Sequence, residues 1–316
     1  PGGIWTGMKM IKKYQPAAIF STSPILTAHL IGQSLQKRTG LPWIADMRDS
    51  ITEPGYPRDP LTWKIHRKIE QQIVHRCTKA VFTTEPTRQM YAERYPDIPE
   101  SQWAVIENGF DEENFCDAET NLPEGPLGTP GQITLVHSGI LYPQERDPRP
   151  FFAALSKLKK SGEIDSVRLQ IILRATGSDD FYRPMISDLD IADIVRLEPV
   201  VAYRTALQEM LRADGLMLFQ GSVCNHQIPA KIYEYYRTGK PILALVDFEG
   251  ISAKMLREAN VDDLANIADK DSIVNAIREF VKKLTEGHRL GVARSFANDH
   301  SRKSRAQQLG RLLDGI

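Results

Sequence analysis

The sequence predicts an α/β protein built from two doubly wound parallel sheets. Short apolar runs alternate along the chain with stretches whose apolar residues recur every three or four positions, the pattern of buried strands alternating with helices. At 316 residues the chain is longer than one average domain. Residues 117–131 hold three prolines and three glycines without periodicity, which predicts a linker between two domains.

The composition excludes several classes of protein. Hydrophobic residues make up 41% and charged residues 25% of the chain, as in ordinary globular proteins. A formal net charge of zero argues against a nucleic-acid binder that works by bulk charge. No apolar run approaches the roughly 20 residues of a membrane span. The three cysteines lie far apart with no CxxC pair, so neither a disulfide framework nor a zinc site is expected, and a reducing cytoplasm fits.

The first half of the chain predicts four strands with intervening helices. Gly40 ends one of these helices and Thr84 caps another, while three prolines and a glycine within residues 50–60 predict an ordered loop. The predicted strands are residues 17–20, 43–45, 80–82 and 104–106, and the predicted helices are residues 8–14, 25–38, 61–73 and 84–94.

The second half repeats this alternation. In such sheets ligands bind at the carboxyl ends of the strands, and the polar motifs of this chain mostly follow predicted strands. The strands are expected at residues 133–137, 167–173, 194–197, 216–219 and 242–246, and the helices at residues 149–160, 182–189, 203–212, 230–237, 252–258, 272–284, 292–299 and 302–313.

The most informative stretch is residues 225–245, where a polar loop leads into a short helix and then a buried strand. Pro229 is suited to the start of the helix and Gly239 to its end. Lys231 and Glu234 are three residues apart, so they project from one face of the helix. A helix N-terminus with a lysine suits a diphosphate, and the carboxylate suits a ribose diol. A surface helix with one salt bridge is the alternative.

This stretch resembles the donor-binding motif of retaining glycosyltransferases of the GT-B fold, in particular the family 4-like sugar transferases of lipopolysaccharide and exopolysaccharide synthesis. The match is to (I/V)P-x-K-x-x-E-Y followed by G-K-P-I-L. Three further matches occur in the family's order: W-I-A-D-M-R-D at residues 43–49, I-E-N-G-F-D at residues 106–111, and H-S-G-I-L-Y at residues 137–142. The family often has two glutamates eight positions apart; here the second is Glu234, and His226 replaces the first.

The resemblance implies two Rossmann-like domains that face a cleft. Residues 1–116 would form the acceptor-side domain, 117–131 the linker, 132–298 the nucleotide-sugar-binding domain, and 299–316 a helix that packs back on the first domain. Because only about four strands precede the linker, where a doubly wound sheet has about six, we expect the first domain to be incomplete at its N-terminus.

The resemblance also implies the residues of the site. Arg48 and Asp49, which end a predicted strand, would orient or bind the acceptor, and a structural Arg–Asp pair is the alternative. Arg149 is a weaker alternative to Arg146, and ordinary loop, strand and surface roles remain open for the donor-side residues. The donor-binding candidates are Gly139, Arg146, Arg174, Ile228, Lys231 and Glu234.

The function implied is transfer of a sugar, with retention, from a nucleotide-diphosphate sugar to a glycan or lipid-linked acceptor, without a metal or another cofactor. Asp188-Leu189-Asp190 fits a D-x-D metal motif but lies at a polar helix end, so we expect no metal there. The helix of residues 61–73 has a basic face that could contact anionic lipid weakly. Two alternatives are a nucleotide-sugar epimerase on the same fold and a nucleotide-sugar-binding module without catalysis.

Overall fold

The computed structural model describes residues 2–288 and 291–316. The chain divides into two compact units, Pro1–Glu107 together with Arg305–Ile316, and Asn108–Ser304. Each unit contains one parallel sheet with helices between its strands. The predicted α/β class with two Rossmann-like sheets is therefore confirmed.

The first unit has a four-stranded sheet in which every neighbouring pair of strands is parallel. Its strands lie in chain order, β1-β2-β3-β4. The elements are α1 (Gly2–Tyr14), β1 (Ile19–Thr22), α2 (Leu26–Thr39), β2 (Trp43–Met47), α3 (Pro60–Val74), β3 (Lys79–Phe82), α4 (Glu85–Arg94) and β4 (Trp103–Val105).

Helix ends in this unit follow the local sequence. Gly40 ends α2 with φ +71°, the left-handed conformation that glycine adopts without strain. The Thr84 side chain accepts a hydrogen bond from the Thr87 amide at the start of α4, and Asp59 caps α3 in the same way through the Thr62 amide. The predicted ends at Gly40 and Thr84 are confirmed.

A buried carboxylate, which the sequence did not reveal, joins α3 to α4 and to the loop after β2. Glu70 is fully buried on the inner face of α3, and both its oxygens accept hydrogen bonds. Such a network stabilises a fold only when each member is satisfied. The donors lie 2.7–3.1 Å from Glu70 and are the amide and hydroxyl of Thr52, the hydroxyls of Tyr91 and Tyr95, and the guanidinium groups of Arg67 and Arg94.

The second unit carries a six-stranded parallel sheet. Its elements are α5 (Glu112–Thr120), β5 (Ile133–Ser138), α6 (Arg149–Lys160), β6 (Leu169–Arg174), α7 (Asp179–Asp188), β7 (Val195–Glu198), α8 (Tyr203–Arg212), β8 (Gly215–Gln220), α9 (Lys231–Thr238), β9 (Ile242–Val246), α10 (Ile251–Glu258), β10 (Leu264–Asn266), α11 (Lys270–Thr285) and α12 (Arg294–Asn298). The last helix, α13 (Arg302–Asp314), begins in this unit and belongs to the first unit from Arg305 onward.

The order of this sheet is β10-β9-β8-β5-β6-β7. From β5 the chain moves outward through β6 and β7, then returns to the other side of β5 and continues outward through β8, β9 and β10. The order reverses between β5 and β8, which pair at Leu135↔Gly215 and Val136↔Leu216. In doubly wound sheets ligands bind at the carboxyl ends of the strands at this point.

The boundary region differs from the prediction. The expected linker, residues 117–131, begins inside α5 (Glu112–Thr120). The side chain of Asp111 caps the start of this helix by accepting a hydrogen bond from the Glu113 amide. Phe115 of α5 is fully buried in the same apolar cluster as Leu207 of α8, so α5 belongs to the second unit and the compact units divide after Glu107.

Two smaller differences concern the second sheet and the termini of helices. β10 was not expected, and α9 begins at Lys231 with Ala230 as its N-cap, so Pro229 lies just outside the helix. The predicted αL residue at Gly239 (φ +67°) is confirmed. Within the described ranges no helix is both long and apolar enough to cross a membrane.

Candidate functional site

The site lies at the carboxyl ends of β5 and β8. β5 ends at Ser138 and passes directly into Gly139. β8 ends at Gln220 and leads through a loop to Lys231, the first residue of α9. Topology thus brings two of the predicted donor-binding residues, Gly139 and Lys231, to the same place.

Gly139 approaches Lys231 closely. Its φ is +124°, a conformation that residues with a side chain rarely adopt. A Cβ atom added there would lie 2.9 Å from Lys231 Nζ. The backbone conformation therefore favours glycine at this turn, and a side chain there would displace the ammonium of Lys231.

The ammonium of Lys231 contacts a buried histidine. Lys231 Nζ lies 3.1 Å from His137 Nε2, and His137 Nδ1 lies 2.9 Å from the carbonyl oxygen of Met217. Burial, and then Arg146, lower the pKa of Lys231 to about 7, while Glu234 opposes the shift. Burial, and then Lys231, hold the pKa of His137 well below its ordinary value, so the imidazole is neutral.

Glu234 lies one turn along α9 from Lys231. Its Oε1 accepts a hydrogen bond of 2.6 Å from the hydroxyl of Tyr203, the first residue of α8. Burial raises the pKa of Glu234, while Tyr203 and Lys231 oppose that shift. The sequence did not suggest Tyr203 as a partner, because it lies far from the motif along the chain. The residue is 43% exposed.

Arg146 is half-buried in the loop after β5. Its Nε donates to Gln220 Oε1 and its Nη1 to the carbonyl of Ile140, each at 3.2 Å. The guanidinium also lies over the ring of Tyr142, 5.6 Å from the centroid. Among the described residues these partners are all uncharged, so the positive charge of Arg146 is not neutralised by an ion pair there.

Two other arginines already have carboxylate partners. Arg149 is exposed and pairs with Asp147 at 2.6 Å. Arg174 is buried, donating to Glu209 Oε2 and to the carbonyl of Pro199, each at 2.8 Å. The guanidinium of Arg174 therefore faces α8 and already has a carboxylate partner there.

The loop between β8 and α9 is tied to its surroundings. Gly221 donates its amide to the carbonyl of Glu145 at 2.7 Å, and the carbonyl of Asn225 accepts from the Ile251 amide at 2.9 Å. Ile228 is buried with the core cluster, so its side chain is part of the core and only its backbone could contact a ligand. His226 is half-buried in the same loop.

The helix α9 is fixed from its far end. Arg237 is buried and donates to Glu112 Oε2 at 2.6 Å and to Glu119 Oε1 at 3.0 Å, both on α5. The hydroxyls of Tyr235 and Tyr236 donate to the carbonyls of Met217 and Met255, respectively. These contacts set the position of α9 and hence of the two side chains at its N-terminal turn. The sequence could not show the pairing of Arg237 with α5, a helix that was itself missed.

Arg48 and Asp49 follow β2 in the first unit. Arg48 donates from Nη1 to Asp46 Oδ2 at 3.3 Å, and its amide donates to Ser23 Oγ at 2.9 Å. Asp46 also accepts from Thr22 Oγ1 at 2.8 Å. Asp49 is exposed, yet the protein packed around its carboxylate raises its pKa, with Arg48 opposing. Both residues thus lie at the carboxyl edge of the first sheet.

The D-x-D motif has a structural setting. Asp188 is the last residue of α7. Asp190 has φ +55° and pairs with Lys159 at 3.3 Å. Within residues 2–288 and 291–316, no group of three or more histidine, cysteine or acidic side chains could hold a metal ion.

Comparison with known proteins identifies the fold. No family model and no curated protein sequence matches the chain. HepE of Anabaena in complex with UDP matches with a TM-score of 0.74 at 16% identity, covering 99% of this chain and 82% of that chain.

Two further solved structures extend this likeness. Sucrose-phosphate synthase of Thermosynechococcus elongatus matches with a TM-score of 0.68 at 15% identity, over 99% and 76% of the two chains. UDP-GlcNAc 2-epimerase of Neisseria meningitidis, bound to UDP-GlcNAc, matches at 0.61 and 11%, over 99% and 80%. At these identities the likeness concerns the fold, and the chain therefore has the GT-B fold.

Proposed function

We propose that the protein is a glycosyltransferase that moves a sugar from a nucleotide-diphosphate sugar to an acceptor hydroxyl. The observation that carries this proposal is the meeting of Gly139 and Lys231 at the reversal of strand order, with Glu234 one helical turn away. The GT-B fold supports it, since proteins of that fold include a sucrose-phosphate synthase and a HepE that binds UDP.

The diphosphate would bind between Lys231 and Arg146. Both cations lack a carboxylate partner at hydrogen-bond distance among the described residues, and the N-terminus of α9 adds the positive end of the helix dipole. The glycine at position 139 leaves room for a phosphate oxygen to approach the backbone. Ile228 could add a backbone contact to the base.

The ribose would bind at Glu234. A carboxylate can accept hydrogen bonds from both hydroxyls of a ribose diol. The hydroxyl of Tyr203 donates a hydrogen bond to one oxygen of Glu234, so a ribose hydroxyl would replace or share that contact.

The chemistry we propose is electrostatic and proceeds with retention. The bond between the anomeric carbon and the diphosphate oxygen breaks, the acceptor oxygen bonds to the same face, and the acceptor proton passes to the departing diphosphate. Lys231 and Arg146 would stabilise the negative charge that develops on the diphosphate, the role that cations fill in charge-stabilising sites. No metal is needed for this step.

The acceptor would be a glycan or a lipid-linked sugar held by the first unit. Arg48 could bind an acceptor phosphate, and the carboxylate of Asp49 could orient the hydroxyl by accepting a hydrogen bond from it. We place the reaction in the cytoplasm, in keeping with cysteines too widely spaced in the sequence for a disulfide framework, with weak contact to anionic lipid through the basic face of α3.

The proposal is tested first by nucleotide binding and then by product analysis. A thermal-shift panel of UDP-, GDP-, ADP- and dTDP-sugars should show stabilisation by one base. Incubation of that donor with lipid-linked and oligosaccharide acceptors should then release nucleotide diphosphate and a glycosylated product of unchanged anomeric configuration. An intact donor with every acceptor would contradict the proposal.

Two other functions give different products. An epimerase, which the likeness to UDP-GlcNAc 2-epimerase favours, would return an altered nucleotide sugar and need no acceptor. A binding module, which His226 in place of the usual glutamate favours, would bind the nucleotide sugar and leave it unchanged.

A further inference from the structure

His137 lies at the centre of the candidate donor site yet is absent from the set of residues that the proposed function uses. It is fully buried near the end of β5. Its ring packs edge-on against Phe219 of β8, with centroids 5.0 Å apart and planes at 88°. A histidine packed this tightly keeps one orientation.

The hydrogen bonds of His137 determine which nitrogen carries the proton. The carbonyl of Met217 can only accept a hydrogen bond, so His137 Nδ1 is the protonated nitrogen. His137 Nε2 therefore carries a lone pair and accepts from Lys231 Nζ. The imidazole is an uncharged acceptor that faces the lysine.

This contact fixes the lysine without neutralising it. An ammonium has three donors, and His137 uses one. The position that a Cβ of residue 139 would occupy is 2.9 Å from the same nitrogen, so Lys231 Nζ lies between the imidazole and the Gly139 turn. A carboxylate in place of the imidazole would have cancelled the charge that a diphosphate requires.

The charged and titratable groups that face Lys231 come from three elements. His137 belongs to β5, Arg146 to the loop after β5, and Glu234 to α9 itself. Burial and Arg146 favour the neutral amine and Glu234 favours the ammonium, which together bring the pKa of Lys231 to about 7. An anion bound beside Lys231 would favour the ammonium further.

We propose that His137 is a positioning residue for donor recognition: its neutral Nε2 holds the Lys231 nitrogen at the Gly139 turn, where the diphosphate of a nucleotide sugar binds. The inference rests on the proposed function, and it concerns the same site. It adds a residue that acts on the ligand only through Lys231.

The test is a double-mutant cycle read by calorimetry, with UDP-glucose as the probe and GDP-mannose, ADP-glucose and dTDP-glucose in parallel. His137→Met fills the buried space but removes the acceptor, while Met217 keeps the hydroxyl of Tyr235 as a partner. His137→Gln places an amide oxygen where Nε2 lies. Lys231→Met removes the ammonium.

We expect His137→Met to weaken binding about tenfold, the size of one hydrogen bond to a charged group. His137→Gln should stay within about threefold of the unchanged protein. In the Lys231→Met background, His137→Met should have no further effect, because a residue that acts through Lys231 has nothing left to position.

Three results would overturn the inference: unchanged affinity in His137→Met, equal losses with and without Lys231, or a loss in His137→Gln as large as in His137→Met. Melting temperatures of each variant identify failures of folding, and His137→Asn, which retains the donor toward Met217, replaces His137→Met if that variant does not fold. Absence of binding by the unchanged protein would instead remove the proposed function and the inference with it. If Lys231→Met weakens binding while His137→Met does not, only the inference fails and the proposed function stands.

Discussion

Two charged side chains, one in each unit, are treated in opposite ways by the fold. Glu70 in the first unit has no exposed surface, and hydroxyls, an amide and two guanidinium groups saturate its oxygens. Lys231 in the second unit has a neutral imidazole as its described hydrogen-bond partner. A saturated charge holds a structure together, whereas an unsaturated charge at a strand-order reversal is available to a ligand. We expect this difference to separate structural residues from functional ones.

The strongest test of the comparison is Glu70→Gln. The substitution leaves Arg67 and Arg94 without their buried carboxylate, and breaking a buried ion pair lowers the free energy of unfolding by roughly 3–5 kcal/mol. Chemical denaturation measures this change. Donor affinity, measured by calorimetry below the unfolding transition, should stay unchanged; a selective loss of affinity with intact stability would contradict the structural role.

The same comparison can be made between two arginines of the second unit. Arg174→Met leaves Glu209 without its buried partner, so unfolding should become easier by about 3 kcal/mol while donor affinity changes little. Arg146→Met removes a cation whose described partners are neutral. That variant should lose roughly 1.5–3 kcal/mol of donor affinity with little change in stability. An inverted pattern in the two variants would show that the functional cation has been misidentified.

Glu234→Gln tests the ribose contact. The amide preserves the shape of the side chain but loses its charge, so nucleotide binding should weaken by roughly 1–3 kcal/mol. Calorimetry with the nucleotide selected by the thermal-shift panel measures this effect, and Tyr203→Phe is the matched control because it removes only the hydroxyl that contacts Glu234. Normal affinity in a folded Glu234→Gln protein would end the assignment.

The pH dependence of donor binding should follow Lys231. Its pKa, lowered from 10.5 to about 7 in the free protein, means that the ammonium is present below pH 7 and is lost as the pH rises above it. Because the diphosphate binds the ammonium, affinity for UDP-glucose should be constant below pH 7 and decline above it, by at most about tenfold per pH unit. Lys231→Met should bind weakly with a flat profile; a decline that persists in this variant would assign the titration to another group.

The smallest expected effect is that of metal removal. EDTA should leave turnover unchanged, because protein cations neutralise the leaving diphosphate in the proposed reaction. Activity abolished by EDTA and restored by Mn²⁺ or Mg²⁺ would contradict this prediction and direct attention back to Asp188 and Asp190.

The sequence was sufficient for regular elements with strong periodicity. Predicted bounds for α6, α8 and β9 coincide with those of the structure, since those elements carry apolar residues at clear helical or strand spacing. α5 was missed because its acidic sequence buries mainly Phe115 and Ala118 and gains its anchor from Arg237 on α9. β10 is three residues long and has too little pattern to predict.

The site was predictable where a motif fixed local geometry and unpredictable where it depended on partners. Lys231 and Glu234 share a helix, so their relation could be derived from spacing alone. Arg174 ends a strand, and only the structure shows that its side chain turns toward Glu209. His137 and Tyr203 contact Lys231 and Glu234 although tens of residues separate them along the chain. Periodicity in the sequence does not indicate such long-range contacts.

The strand order of the second sheet also determines when a nucleotide could first assist the protein during its synthesis. β5 is made early and can pair with β6, but its other neighbour, β8, follows only after β7 and α8. Until β8 leaves the ribosome one side of β5 is unpaired, and an open strand of this kind is prone to aggregation. Lys231 and Glu234 are translated later still. Binding of the proposed nucleotide sugar would therefore stabilise only a chain in which β8 and α9 are complete.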